Sequence, residues 1–164
     1  MAFLSVAEML AAAAGGTLPQ AVLRSDLAES RLSEQQSREK MRALWRVMQE
    51  TGAEYDPARR SASGLSGGEA ARVEAAAATG RLLGGAYLAA VTAEALKTAE
   101  CNACMQRIVA APTAGSCGVL PAVLLPLRAQ GRYTEAQFCD ALYTAAGFGQ
   151  VIAARATLAG AEGG

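Results

Sequence analysis

The chain contains no histidine. That removes the commonest general base and the commonest nitrogen ligand for a metal. Lysine is scarce, with Lys40 and Lys97 alone, and neither sits in a setting that suggests a pyridoxal-phosphate Schiff base. Aromatic residues make up 5% and charged residues 18%, and the formal net charge is zero. Without a basic excess there is nothing to neutralise a run of phosphates, so nucleic acid is not an expected partner. The opening Met1-Ala2-Phe3-Leu4 has no basic segment before it, and Glu8 interrupts the apolar stretch, so no secretory leader is expected. Four cysteines without such a leader fit a reducing compartment, and the expected location is cytoplasmic. Residues 108–127 carry no charge, but Pro112, Pro121 and Pro126 fall among them with Gly115 and Gly118. In lipid the backbone groups they free would lack partners, so no membrane span is expected.

Hydrophobic residues make up 52% of the 164-residue chain, and alanine alone is about a quarter of it. Alanine has the best helix propensity and lets helices approach closely. No alternating segment is long enough for a strand. The expectation is an all-α, compact multi-helix domain with Ser/Gly-rich loops at helix N-termini. The spacing predicts a short helix over residues 3–14, ended by Gly15-Gly16, and a second starting near residues 17–19 with Thr17 and Gln20 as a capping box. Ser33 and Gln36 form the same pair ahead of Met41, Leu44, Trp45 and Met48, which recur on one helical face, with Gly52 as a stop. Helices are also expected over residues 69–79, 85–101, 119–130 and 135–146. Pro126 predicts a kink or break in the third of these. Gly147 and Gly149 predict an interruption before a last helix at 151–158.

Cys101-Asn102-Ala103-Cys104 is a CxxC, with Cys117 and Cys139 completing four thiols. Packing, a metal or cluster site, and a redox pair all remain open readings. The run Pro112-Thr113-Ala114-Gly115-Ser116-Cys117-Gly118 combines small residues with a following helix start. Free N–H groups and two hydroxyls there make either an anion site for a small carboxylate or a plain helix cap. The loop Ser61-Ala62-Ser63-Gly64-Leu65-Ser66-Gly67-Gly68 is similar in character, either a cradle or a flexible connection. It lacks the Gly-Lys-Ser/Thr ending of a P-loop.

Taken together, Arg107-Ile108-Val109-Ala110-Ala111 with the following 112–118 run, the 61–68 loop and the ending Leu158-Ala159-Gly160-Ala161-Glu162-Gly163-Gly164 resemble the α region of iron-sulfur-dependent L-serine dehydratases. The likeness is close over residues 55–164 and loose before that. It divides the chain into an N-terminal helical segment, 1–54, and a partial catalytic α domain, 55–164.

The resemblance implies β-elimination from L-serine to give pyruvate and ammonia. It also implies a 4Fe-4S cluster whose open iron acts on the leaving hydroxyl. In the family the first cluster cysteine directly follows the Ala-Gly-Ala-Glu-Gly-Gly segment, so the ligands are expected beyond Gly164. None of Cys101, Cys104, Cys117 and Cys139 then inherits a ligand role. The substrate carboxylate is expected at Thr113, Ala114, Gly115, Ser116, Cys117 and Gly118, with Ser61, Ser63 and Gly64 closing over it. No residue is assigned as the base. The expected partners are L-serine, the remaining C-terminal part of the α region and a β subunit or domain, with self-association of an uncovered apolar face and no activity in isolation. The family commonly has a serine at the position of Cys104 and a glycine at that of Gln106, and Pro126 is atypical.

Overall fold

The computed structural model describes residues 2–159. The Gly160-to-Gly164 part of the ending that resembles the family lies outside the described residues. Among the described residues the fold is all-α, as the composition implies, with seven α-helices and one short 3-10 turn. They are α1 (Val6–Ala12), α2 (Leu18–Ser30), α3 (Glu34–Ala53), α4 (Glu69–Ala78), α5 (Gly85–Ala103), the 3-10 turn Ala114–Ser116, α6 (Val119–Ala129) and α7 (Glu135–Ala153). No helix among them is long and apolar enough to cross a membrane.

The chain folds into two compact units that interleave along the sequence. One comprises Met1–Trp45 and Thr134–Gly164, the other Arg46–Tyr133. α7 therefore belongs to the same unit as α1 and α2. α3 runs through both, its residues to Trp45 in the first unit and from Arg46 in the second.

In the first unit α7 packs on α2 and α1. Phe3, Met9, Val22, Leu23, Tyr143 and Val151 form the core, with Met41 packed against it. The rings of Trp45 and Phe138 stack at 4.9 Å. Buried Ser37 donates to Asp26 and shares a 2.8 Å hydrogen bond with the Tyr143 hydroxyl. The predicted Thr17–Gln20 and Ser33–Gln36 caps are present, and Thr134 with Gln137 forms a further one at the start of α7.

Three helix expectations change. α1 begins at Val6, three residues later than expected, because the Ser5 hydroxyl accepts from the Glu8 amide and sets the start there. α7 is one helix, uninterrupted at Gly147 and Gly149. A Cβ on Gly147 would lie 2.6 Å from Val22 Cγ2 and 2.7 Å from Met9 Sδ, so this glycine allows a close helix approach instead of ending a helix. α6 likewise passes through Pro126 to Ala129 without a break. Pro126 is buried there, and having no N–H it leaves the Ala122 carbonyl without its helical donor. On α3 Trp45 and Met48 are buried as expected, whereas Leu44 is exposed and Val47 is buried in its place.

In the second unit α5 packs against both α4 and α6. The α5–α6 approach is tight. A Cβ on Gly118 would lie 2.8 Å from the Ala95 carbonyl oxygen.

Candidate functional site

All nine residues expected to bind substrate belong to the second unit. They occupy two loops that both fasten onto the last turn of α5. The 61–68 loop leads into the N-terminus of α4, and the 111–118 loop leads into that of α6.

The first loop closes on itself. The Ser61 amide donates to the Ser66 carbonyl at 2.9 Å, and the Gly64 amide donates to the Ser61 carbonyl at 2.8 Å. The Ser61 and Ser63 hydroxyls lie 3.1 Å apart, and Ser61 also accepts from the Ser66 amide. Gly64, at φ +74°, takes a left-handed conformation that L side chains rarely adopt. The amides that lead into α4 face carboxylates of the chain itself. Gly67 donates to Glu69 at 2.7 Å, while Gly68 and Ala70 donate to Glu100. The first of these bonds holds the Glu69 carboxyl below the usual carboxylate range. Ser61, Ser63 and Gly64 therefore build the turn, and its helix-start amides are bonded to acidic side chains.

Glu100 is a central residue that the sequence did not flag. It is 4% exposed and accepts from three donors: the Tyr55 hydroxyl at 2.9 Å, the Gly68 amide and the Ala70 amide at 2.7 Å. A carboxylate at a helix N-terminus is favoured by the dipole and by the free N–H groups. Tyr55 is pushed up to about 12 by burial and by its bond to Glu100. No local signal marks this cap, because Glu100 lies 30 residues from the amide it receives.

In the second loop, Thr113 and Ser116 cap each other. The Thr113 amide donates to Ser116 Oγ at 3.1 Å, the Ser116 amide lies 3.3 Å from Thr113 Oγ1, and the two hydroxyls are 3.0 Å apart. Ser116 Oγ also donates to the Ala111 carbonyl at 3.0 Å. The Ala111–Pro112 peptide is cis. Cys117 is buried, its thiol facing the Thr98 carbonyl at 3.9 Å, so its side chain packs against α5. Gly118 is required by the contact with Ala95.

Gly115 is different. Its φ is not positive, and a Cβ there would meet only Thr113 Oγ1, at 3.8 Å. Neither packing nor backbone geometry demands a glycine. Ala114 and Gly115 are exposed, so the backbone at this pair is open to approach.

The loop is tied down at two further points. The Asn102 side chain donates to the Ala114 carbonyl at 3.1 Å, and Thr51 Oγ1 on α3 donates to the Arg107 carbonyl at 3.0 Å. Glu100 and Asn102 are two residues apart, about 200° around the helix at ~100° per residue. They therefore hold the two loops on opposite flanks of α5, at the same end of that helix.

The thiols do not gather. Cys101 faces the Thr51 carbonyl at 3.7 Å, and burial raises it to about 11. Burial likewise raises Cys117 and Cys139. Among the described residues no three Cys, Asp or Glu side chains are grouped to hold a metal, so they do not fit an iron-sulfur cluster. Burial works to lower the pKa of Lys97, but bonds to Glu74 at 2.8 Å and Glu94 at 3.0 Å outweigh it and hold the side chain as an ammonium.

Residues 7–164 match the family model described as serine dehydratase alpha chain. Over 144 residues the chain is 35% identical to the "L-serine dehydratase, alpha chain" of Peptoniphilus asaccharolyticus, covering 87% of this chain and 49% of that protein. Over 104 residues it is 39% identical to the "Probable L-serine dehydratase, alpha chain" of Bacillus subtilis, covering 63% of this chain and 35% of that one. A third relative, from Latilactobacillus sakei and with the same printed name, is 43% identical over 70 residues, covering 43% of this chain and 34% of its own length. The chain thus spans about half or less of the length of these relatives. No solved structure matches it. With the match running through both loops and α5, the chain belongs to the serine dehydratase alpha-chain family.

Proposed function

We propose that this chain supplies part of the substrate site of an L-serine dehydratase, a lyase that eliminates water from L-serine to give pyruvate and ammonia. The 113–118 turn receives the carboxylate of the amino acid. The Thr113 and Ser116 hydroxyls shape that turn by bonding to each other, and the exposed backbone at Ala114 and Gly115 approaches the ligand. The supporting observation is the glycine at 115, which has no packing or conformational reason to be one. A side chain there would cover the backbone that the ligand needs.

The 4Fe-4S cluster implied by the likeness would be held by residues other than those described, which hold no ligand group for it. The remainder of the α chain and a β partner complete the enzyme, and the relatives' names as alpha chains support such an assembly. Exposed apolar side chains such as Leu65 in the first loop and Met105 just after α5 are surfaces for that remainder.

Gly115→Ala in the assembled enzyme tests the assignment. The added methyl meets open space, so the unfolding midpoint should stay within the wild-type range. KM for L-serine should rise several-fold, with kcat little changed, as removal of uniform binding predicts. An unaltered KM in a folded variant rules out the turn as the carboxylate site.

A further inference from the structure

The terminal turn of α5 carries two side chains that each reach a different loop. Glu100 is buried and receives the amides of Gly68 and Ala70 at the end of the first loop, and Tyr55 donates to it from the segment after α3. Asn102 donates to the carbonyl of Ala114 in the second loop. Each bond spans sequence separations of 12 to 45 residues, so none is a by-product of local chain geometry. The helix between them is fixed by burial of Thr98 and Cys101. A rigid helix that holds both loops sets the distance between them.

We infer that Glu100 and Asn102 are positioning residues. Through them α5 acts as a bracket that fixes the 61–68 loop and the 113–116 turn relative to one another for substrate binding. The binding role rests on the dehydratase reading above, whereas the bracket itself does not. Glu100 is suited to the task because a carboxylate accepts from several donors at once. An amide at 100 keeps a single acceptor oxygen and turns an NH2 group toward a backbone donor, so at least one loop amide is released. Asn102 is suited because its amide reaches a carbonyl without adding charge beside a site for an anion.

The test has two arms. Amide hydrogen exchange is measured on the full 164-residue chain for Glu100→Gln, Asn102→Ala and the milder Tyr55→Phe. Glu100→Gln should speed exchange about tenfold at residues 66–70, and Asn102→Ala should do so at 113–117, with α2 and α7 unchanged. Tyr55→Phe removes one donor and leaves the carboxylate in place. It should give a smaller acceleration confined to 66–70, which serves where Glu100→Gln does not fold. Acceleration spread evenly over the unit, or none in the loops, overturns the bracket. In the second arm, the assembled enzyme carrying each variant should show a several-fold higher KM for L-serine with kcat within about twofold. Loss of kcat at unchanged KM overturns the positioning role in binding. If the unsubstituted assembly does not turn over L-serine, the dehydratase reading fails, and exchange alone decides the bracket.

Discussion

A Cβ on Gly118 would stand 2.8 Å from the carbonyl oxygen of Ala95, so α5 and α6 meet through a glycine against bare backbone. Backbone cannot swing aside as a flexible side chain can. Gly118→Ala must part the two helices, and overpacking of this kind costs about 1–3 kcal/mol. Urea unfolding of the variant should show a lower midpoint and an unfolding free energy reduced by that amount. An unchanged midpoint would mean the helices are looser than the structure has them.

α7 offers a matched contrast. A Cβ on Gly147 would lie under 3 Å from Val22 and Met9, while one on Gly149 meets nothing within 4 Å. Gly147→Ala should destabilise the first unit by about 1–3 kcal/mol. Gly149→Ala, in the same helix, should stabilise it by about 0.4–1 kcal/mol through helix propensity and a less flexible unfolded chain. Equal effects at the two positions would contradict the packing described for α7.

Several elements were legible because their signals are local. The Thr17–Gln20 and Ser33–Gln36 boxes each lie within one turn, and the sequence places them directly. The glycines of α7 were not legible. Whether Gly147 breaks a helix or lets another helix approach depends on Met9 and Val22, which are far away in sequence. The same holds for the site. Composition located the 61–68 and 112–118 loops, but not that Thr113 and Ser116 would turn their hydroxyls on each other. Nor does anything near Glu100 in sequence announce that it caps α4.

Ser116→Ala separates shape from contact in that turn. The hydroxyl accepts from Thr113 and donates to Ala111, so its loss should lower stability by about 1 kcal/mol. In the assembled enzyme KM should rise more than kcat falls. Stability loss with an unchanged KM would leave Ser116 as a cap without influence on substrate.

The buried thiols give the fold an alkaline limit. Burial raises Cys101 from 9.0 to about 11, and Tyr55, through burial and its bond to Glu100, from 10.0 to about 12. Between pH 9 and 11 the unfolded thiol has lost its proton while the folded one keeps it, so the unfolded state binds fewer protons. Stability is therefore full below pH 9 and falls as pH rises through these values. Midpoints measured from pH 7 to 11 should be flat and then decline, and Cys101→Ala should flatten the early part of the decline. A decline that begins below pH 8 would point to other groups.

Iron binding is the last test, and geometry decides its outcome. A cluster needs several thiolates converging on one point. Cys101 instead faces Thr51 and Cys117 faces Thr98, both buried, and among the described residues no three such side chains are grouped to hold a metal. Their raised pKa values further disfavour the thiolate that iron requires. Anaerobic reconstitution of the 164-residue chain with iron and sulfide should leave no stoichiometric metal after desalting. At neutral pH the half-exposed Cys104 should react with a disulfide reagent well before the other three thiols. Stoichiometric iron and sulfide, with all four thiols protected, would show that the chain binds a cluster by itself and that these cysteines must rearrange to do so.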